Sequence, residues 1–279
     1  MRNIVCLTLA AFVLTACQTA QNIHTARSPT NVSPRTPLTV MSYNIRMGVG
    51  SQRESGGIYH MPHGKNIQGV IDEIRLVDPD VIGLQEVSGA SQAREIGKAL
   101  NMNYAYEGHD TTRSSGSWWG VAILSKYPIL KSRGVDISFS AGDQKAIIVA
   151  TLDMGSRPAT FVSVHKDKDL TDGDSIERIL DVVSKIDGPI TLIGDFNITP
   201  TGSNGRLEMI TKRFVDTSSA VDTKGAEDVR NGGTFYYSGR HIDYVFSDPR
   251  YFTVEDVGAT RQSTPASDHY SYFAKLRWK

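Results

Sequence analysis

Apolar runs in this 279-residue chain are interrupted, at a few places, by the residue types that do chemistry. Ser42-Tyr43-Asn44-Ile45-Arg46 ends the first run, Gln85-Glu86-Val87 the second and Ser163-Val164-His165 a later one. Gly194-Asp195-Phe196-Asn197 follows the short strand-like run 190–193, Ile242-Asp243-Tyr244 sets a carboxylate inside an apolar stretch, and Ser267-Asp268-His269 precedes the last run. Carboxylate and amide oxygens of the kind carried by Asn44, Glu86 and Asp268 are hard donors suited to Mg²⁺. An imidazole such as His269 can hold or move a proton near neutral pH. Asp195 and Asn197 are two apart, so in an extended chain their side chains point the same way. Each signal alone is commonplace, since a lone Asp or Asn after a strand is usually a turn residue. Their joint occurrence at strand ends is informative, because binding and catalytic groups sit on loops held by a rigid scaffold.

The elements that must position these groups alternate between strand-like and helix-like. Residues 38–45 are apolar and β-prone. Ile67, Val70, Ile71 and Ile74 recur at helical spacing within 65–76. Asp78-Pro79-Asp80 ends that helix before a buried strand over 81–85. The pattern predicts a second helix over 90–100, strands over 104–107 and 121–124, and a strand pair over 146–152 and 160–164 around a turn. A third helix is predicted over 174–186, capped by Asp174 or Ser175. A buried strand over 190–193, a short helix over 206–211 and strands over 242–246, 252–257 and 270–277 follow. There is no internal repeat and no linker after residue 38, so 38–279 reads as one domain of mixed sheets covered by helices.

The chain start differs in character. Arg2 precedes an apolar run over 4–14 that is too short to span a bilayer and reads as an export signal. Leu14-Thr15-Ala16-Cys17 resembles the bacterial lipoprotein box. That resemblance implies removal of 1–16 and lipid on Cys17, with the cell envelope as location; Gln18 after the cysteine is compatible with sorting to the outer membrane. Several acyl chains hold a protein firmly where one binds weakly. Residues 17–37, rich in Ser, Thr, Asn and Pro, read as a flexible tether. The other cysteine, Cys6, lies in the signal, so disulfides, zinc–thiolate sites and a cysteine nucleophile are excluded from the mature domain. Thirty Lys plus Arg balance thirty Asp plus Glu, without the basic excess usual in a nucleic-acid binder. A local basic patch remains compatible with that balance, and no obligate protein partner is evident.

Gly-Asp-Phe-Asn at 194–197 and Ser-Asp-His at 267–269, with Gln-Glu-Val at 85–87 and Ile-Asp-Tyr-Val at 242–245, occur in a definite order. With Trp119-Gly120-Val121-Ala122-Ile123-Leu124-Ser125 as a central strand, they resemble the endonuclease/exonuclease/phosphatase superfamily, the group around pancreatic deoxyribonuclease, over 38–279. The resemblance implies an α/β fold, a four-layer α/β/β/α sandwich of two mixed β-sheets flanked by helices, with its site at one end. It implies metal-dependent hydrolysis of a phosphoester by water. Phosphate esters repel anionic nucleophiles and charge develops on the leaving oxygen; a divalent cation offsets both. The resemblance makes Glu86 the principal ligand, with Asn44 and Asp268 binding directly or through water, for Mg²⁺ or alternatively Mn²⁺ or Ca²⁺. Asp195 or His269 serves as base, or a charged His269 clamps phosphate. Asp243 would accept a hydrogen bond from the His269 ring and fix its tautomer. Asn197 would hold water or a phosphate oxygen, and His165 would contact the phosphoryl group or help protonate the leaving group. Lys166 departs from the apolar residue that often follows the position of His165 in the family, and opens a charged run to Asp169 that reads as a solvated loop or an anion contact.

Two loops are expected to shape specificity. In 48–64, His60 and His63 could host a second metal, although such a pair in a Gly-rich loop is usually just exposed. In 108–119, Arg113 could grip a phosphate and Trp118 could stack on a base or sugar or dip into lipid, while Trp119 is expected to pack on the sheet. Three readings follow: an envelope hydrolase of a small or lipid-derived phosphoester, a membrane-tethered nuclease acting on DNA or RNA, and a non-catalytic binding lipoprotein. The last is disfavoured because every expected chemical position is filled.

Overall fold

A computed structural model describes residues 23–24, 36–52, 61–109, 119–137, 145–155, 157–166 and 173–279. Cys17, His60, Arg113, Trp118 and the charged run 167–169 lie outside the described residues. In chain order the elements are β1 (Ile23–His24), β2 (Leu38–Asn44), α1 (Ile67–Val77), β3 (Val81–Val87), α2 (Ala90–Leu100), β4 (Asn103–Gly108), β5 (Gly120–Ser125), β6 (Ile129–Asp136), β7 (Ala146–Asp153), β8 (Pro158–His165), α3 (Gly173–Ser184), β9 (Ile190–Asp195), α4 (Arg206–Thr211), β10 (Val215–Asp216), α5 (Thr217–Ala220), α6 (Lys224–Gly232), β11 (Asp243–Ser247), β12 (Phe252–Ala259) and β13 (Tyr272–Trp278).

Side-chain alternation along each strand decides the layers. In β2, Leu38 and Val40 face the second sheet, whereas Met41 and Tyr43 face helices. In β8, Phe161 points inward, while Val162 and Val164 meet the other helical layer. Strands buried on both faces therefore read as nearly continuous apolar runs. The strands form a seven-stranded sheet, β1-β4-β5-β3-β2-β13-β12, and a six-stranded sheet, β10-β11-β9-β8-β7-β6. Helices α1 and α2 bring Val70, Ile71, Ile74, Ala93 and Ile96 onto the first sheet, and α3 and α4 bring Ile176, Ile179, Val183 and Ile210 onto the second. This is the four-layer α/β/β/α sandwich that the resemblance implied.

Each sheet contains one parallel pair, β2 with β3 and β8 with β9, spanned by α1 and α3 respectively. The remaining pairings are antiparallel. The carboxyl ends of parallel strands are where open α/β sheets place ligands, and Asn44, Glu86, His165 and Asp195 stand at those ends.

Several expectations are corrected. Helix α3 begins at Gly173, so Asp174 and Ser175 lie within its first turn rather than at its cap. Strand β6 was not anticipated: as an edge strand paired only with β7, it exposes Leu130, Lys131 and Asp136 and lacks a clean apolar rhythm. Helix α6 is largely polar, and its start is set by Thr223, whose side chain accepts from the Ala226 N–H at 3.2 Å. Ile23 and His24, within the segment read as a tether, pair with β4. Among the described residues no helix is long and apolar enough to cross a membrane.

Candidate active site

The inward rows that are apolar at one end of the sandwich turn polar at the other. Ser42 and Asn44 continue the row of Leu38 and Val40; Ser163 and His165 continue that of Phe161; Asp195 follows Ile193, and Asp243 precedes Val245. Ser42, Asn44, Ser163, His165, Asp195 and Asp243 are all buried. An apolar side chain at each position would contribute about 1.5–3 kcal/mol by burial. Polar residues in such places are kept for function at the expense of stability.

Glu86 is the exception to the alternation. Its parity matches Ile82 and Leu84, which face the helices. The pairing of β3 with β5 slips between Leu84 and Val87, and Glu86 takes a left-handed φ of 53°. A bulge of this kind re-aims a side chain, and non-glycine residues held there cost on the order of 1–3 kcal/mol. The result is that Glu86 Oε1 accepts from Asn44 Nδ2 at 3.0 Å. The same Asn44 nitrogen reaches Asp195 Oδ2 at 3.2 Å, bridging the sheets. Asn44 Oδ1 accepts from the Arg46 N–H at 3.0 Å, which fixes the amide's orientation because a backbone N–H needs an oxygen. Beneath, Gln85 Nε2 donates to Ser163 Oγ at 3.2 Å, and that hydroxyl donates to the Leu84 carbonyl at 3.1 Å.

On the other sheet β11 pairs with β9 so that Asp243 lies opposite Asp195, and His165 lies opposite Asp195 across β8. Gly194 permits the close approach: a Cβ there would collide with the Val164 carbonyl. Thr234 Oγ1 accepts from the N–H groups of Ile242 and Asp243, at 3.2 and 3.1 Å, and so sets the start of β11. Asp243 Oδ2 meets His269 Nδ1 at 2.9 Å, the pair the resemblance implied. His269 Nε2 then points to Asp195 Oδ2 at 3.7 Å. His165 Nε2 stands 3.8 Å from Glu86 Oε1 and 3.9 Å from Asp195 Oδ2. Asp268 Oδ2 lies 3.4 Å from Arg46 Nε. Its loop is tied down by Ser267 Oγ, which donates to the Asn44 carbonyl at 2.7 Å.

Asn197 departs from expectation. Its φ of 51° takes the chain out of extended geometry, so it does not project alongside Asp195. Its N–H donates to Asp195 Oδ1 at 2.9 Å and its Nδ2 to the Lys166 carbonyl at 2.8 Å. Lys166 is buried rather than part of a solvated loop. His63 is exposed. Trp119 packs against Met47, Val49 and Met61 and presents its ring to His165, edge to face, at 5.6 Å. Lys145, which no motif marked because it lies in a polar stretch before β7, sits with its Nζ 5.1 Å over the Trp119 ring.

Charge in this chamber is unbalanced. Burial, then Asp268, raises the Glu86 pKa, against the lowering influence of Asn44, His269 and Lys145. Burial, then Asp243, raises Asp195 well above the ordinary carboxylate range, with His269 opposing. Burial disfavours charging His269, but Asp243, Asp195 and Asp268 together outweigh it and push the imidazole up to about 10. Crowded, partly buried carboxylates are relieved by a cation, and an all-oxygen set fits a hard divalent ion. Asp195, Asp243 and His269 also offer atoms within 4.8 Å of one another. That trio suits a cation less well, because Asp243 Oδ2 and His269 Nδ1 are already engaged with each other at 2.9 Å.

A two-sheet sandwich with buried carboxylates and a His–Asp pair at one end defines the class of endonuclease/exonuclease/phosphatase hydrolases, which act on phosphoester bonds. The Endonuclease/Exonuclease/phosphatase family matches the chain over residues 41–269, and the chain belongs to it. Among solved structures, an endonuclease/exonuclease/phosphatase from Beutenbergia cavernae DSM 12333 is 21% identical, with 88% of this chain and 72% of that one covered and a TM-score of 0.68. The Bacteroides thetaiotaomicron VPI-5482 mannosyl-6-phosphatase Bt3783 is 20% identical, over 86% of this chain and 99% of that one, with a TM-score of 0.61. D. rerio TDP2 complexed with single-strand DNA product is 13% identical, over 87% of this chain and 100% of that one, with a TM-score of 0.64. At these identities the likeness is one of fold. No curated protein matches the chain.

Proposed function

We propose that the chain is a divalent-cation-dependent phosphoesterase, held at a bacterial envelope membrane by lipid on Cys17. The observation that carries the catalytic part is the bulge that turns Glu86 into the inter-sheet layer, against Asn44 and beside Asp195. Glu86 and Asp268 would hold the cation, with Asn44 holding Glu86 in place through Nδ2 and offering the free side of Oδ1. Bound there, Mg²⁺ or Mn²⁺ would offset charge on the phosphoryl and leaving oxygens. Asp195 orients a water and takes its proton. His269, charged and oriented by Asp243, holds a phosphoryl oxygen, the role favoured over that of base by its raised pKa. His165 contacts the phosphoryl group from the other side, with Lys145 adding positive charge to that wall. Asn197 supports this edge through the Lys166 carbonyl.

The fold neighbours include a sugar phosphatase and a protein bound to single-strand DNA product. The balanced charge leans toward a small or lipid-derived phosphoester rather than a nucleic acid. A panel of sugar phosphates, inositol phosphates, phospholipids, sphingomyelin, DNA and RNA, run with Mg²⁺ or Mn²⁺, tests the reading. Activity should vanish on chelation; hydrolysis that survives it defeats the cation role. Glu86→Gln should raise the cation concentration needed for half-maximal rate, and an unaltered titration would put the ligand elsewhere. Cys17→Ser should move the protein from the membrane to the soluble fraction; retention on membranes would refute the anchor.

A further inference from the structure

His109 closely follows β4, and its ring packs near that of His165. The Ala146 N–H donates to His109 Nδ1 at 2.9 Å. A backbone amide can only donate, so Nδ1 carries no proton and the ring proton resides on Nε2. The residue is 1% exposed, and Nε2 is buried with no hydrogen-bond acceptor. Buried donors are almost always satisfied, and one left unmade is costly. The ring lies beside His165, with centroids 6.0 Å apart and planes at 42°. His165 in turn faces Glu86 and Asp195. Trp119 and Lys145 complete this wall. Burial, then Lys145, lowers the His109 pKa to about 3, so the ring stays a neutral donor across the working range.

We propose that His109 contacts the substrate: its Nε2–H donates to a non-bridging oxygen of the phosphoryl group bound beside His165. An oxyanion supplies the acceptor the folded protein lacks, and a donor fixed in advance by the backbone needs no reorganisation when charge develops on that oxygen. The proposal rests on the phosphoesterase reading.

The test compares the full chain with His109→Asn, which keeps an acceptor for the Ala146 N–H but loses the reach of Nε2, and His109→Gln, which restores an N–H at that reach. Expected for His109→Asn is an unchanged fold by melting temperature. Its kcat/KM on p-nitrophenyl phosphate and bis(p-nitrophenyl) phosphate should fall by about ten- to a hundredfold, with a parallel weakening of inhibition by inorganic phosphate, and partial recovery in His109→Gln. A folded His109→Asn with wild-type kcat/KM and wild-type phosphate inhibition overturns the proposal. Should the variants fail to fold, the histidine Nε2–H resonance of the ¹⁵N-labelled wild type is followed during titration with phosphate. A shift for His109 supports the contact, and its absence overturns it. A wild-type chain that hydrolyses neither ester would instead defeat the phosphoesterase reading itself.

Discussion

His269 is surrounded by carboxylates: Asp243 at 2.9 Å, Asp195 at 3.7 Å and the adjoining Asp268. Their field more than offsets burial and keeps the ring protonated well above neutrality, whereas Asp195 is held above the ordinary carboxylate range. In the proposed mechanism the two groups take different roles, Asp195 as base and His269 as phosphate clamp. Asp195 works as a base only when deprotonated, so the rate should rise with pH through its titration. His269 works as a clamp only when protonated, so the rate should fall as pH approaches about 10. A bound cation favours the carboxylate and draws the lower limb further down. His269→Ala should reduce turnover by about a hundredfold and remove the upper limb, as a pH–rate profile in saturating Mg²⁺ would reveal. A variant with the same upper limb would assign that titration to another group.

At the scale of elements, the loop that presents Asp268 and His269 is held from two sides. Ser267 ties it to the end of β2, and Glu73 on α1 accepts from the Ala266 N–H at 3.1 Å and from the Tyr43 hydroxyl. A charged residue on the buried face of an amphipathic helix is thereby a clasp between α1, β2 and the catalytic loop. Glu73→Ala strands two buried donors, each costing about 1–3 kcal/mol. The melting temperature should drop and kcat should fall, because the loop that carries both Asp268 and His269 loses register. Differential scanning calorimetry with steady-state kinetics measures both. A variant with wild-type kcat would mean that Ser267 alone positions the loop.

For the whole molecule, two sheets each built around a parallel pair converge their carboxyl-terminal strand ends on one chamber. Carboxylates gathered there repel one another, so cation binding should stabilise the entire fold, by about 2.7 kcal/mol at a hundred times the dissociation constant. The melting temperature should rise with Mg²⁺ or Mn²⁺ in the wild type and much less in Glu86→Gln; equal gains would place the ion away from Glu86. The sequence alone marked most of the strands, the helices α1 to α4 and the candidate residues near the strand ends, because apolar periodicity and polar interruptions are local and survive without a fold. The lipid anchor proposed at Cys17 likewise rests on sequence. The tertiary structure decided what those residues do. The β3 bulge reverses the direction that alternation assigns to Glu86, and the turn at Asn197 breaks the extended geometry its spacing suggested. His109 and Lys145 carry no local mark at all. They enter the chamber because the β4 end, the β7 start and His165 meet there across two sheets, and such juxtaposition is long-range packing that no window of sequence contains.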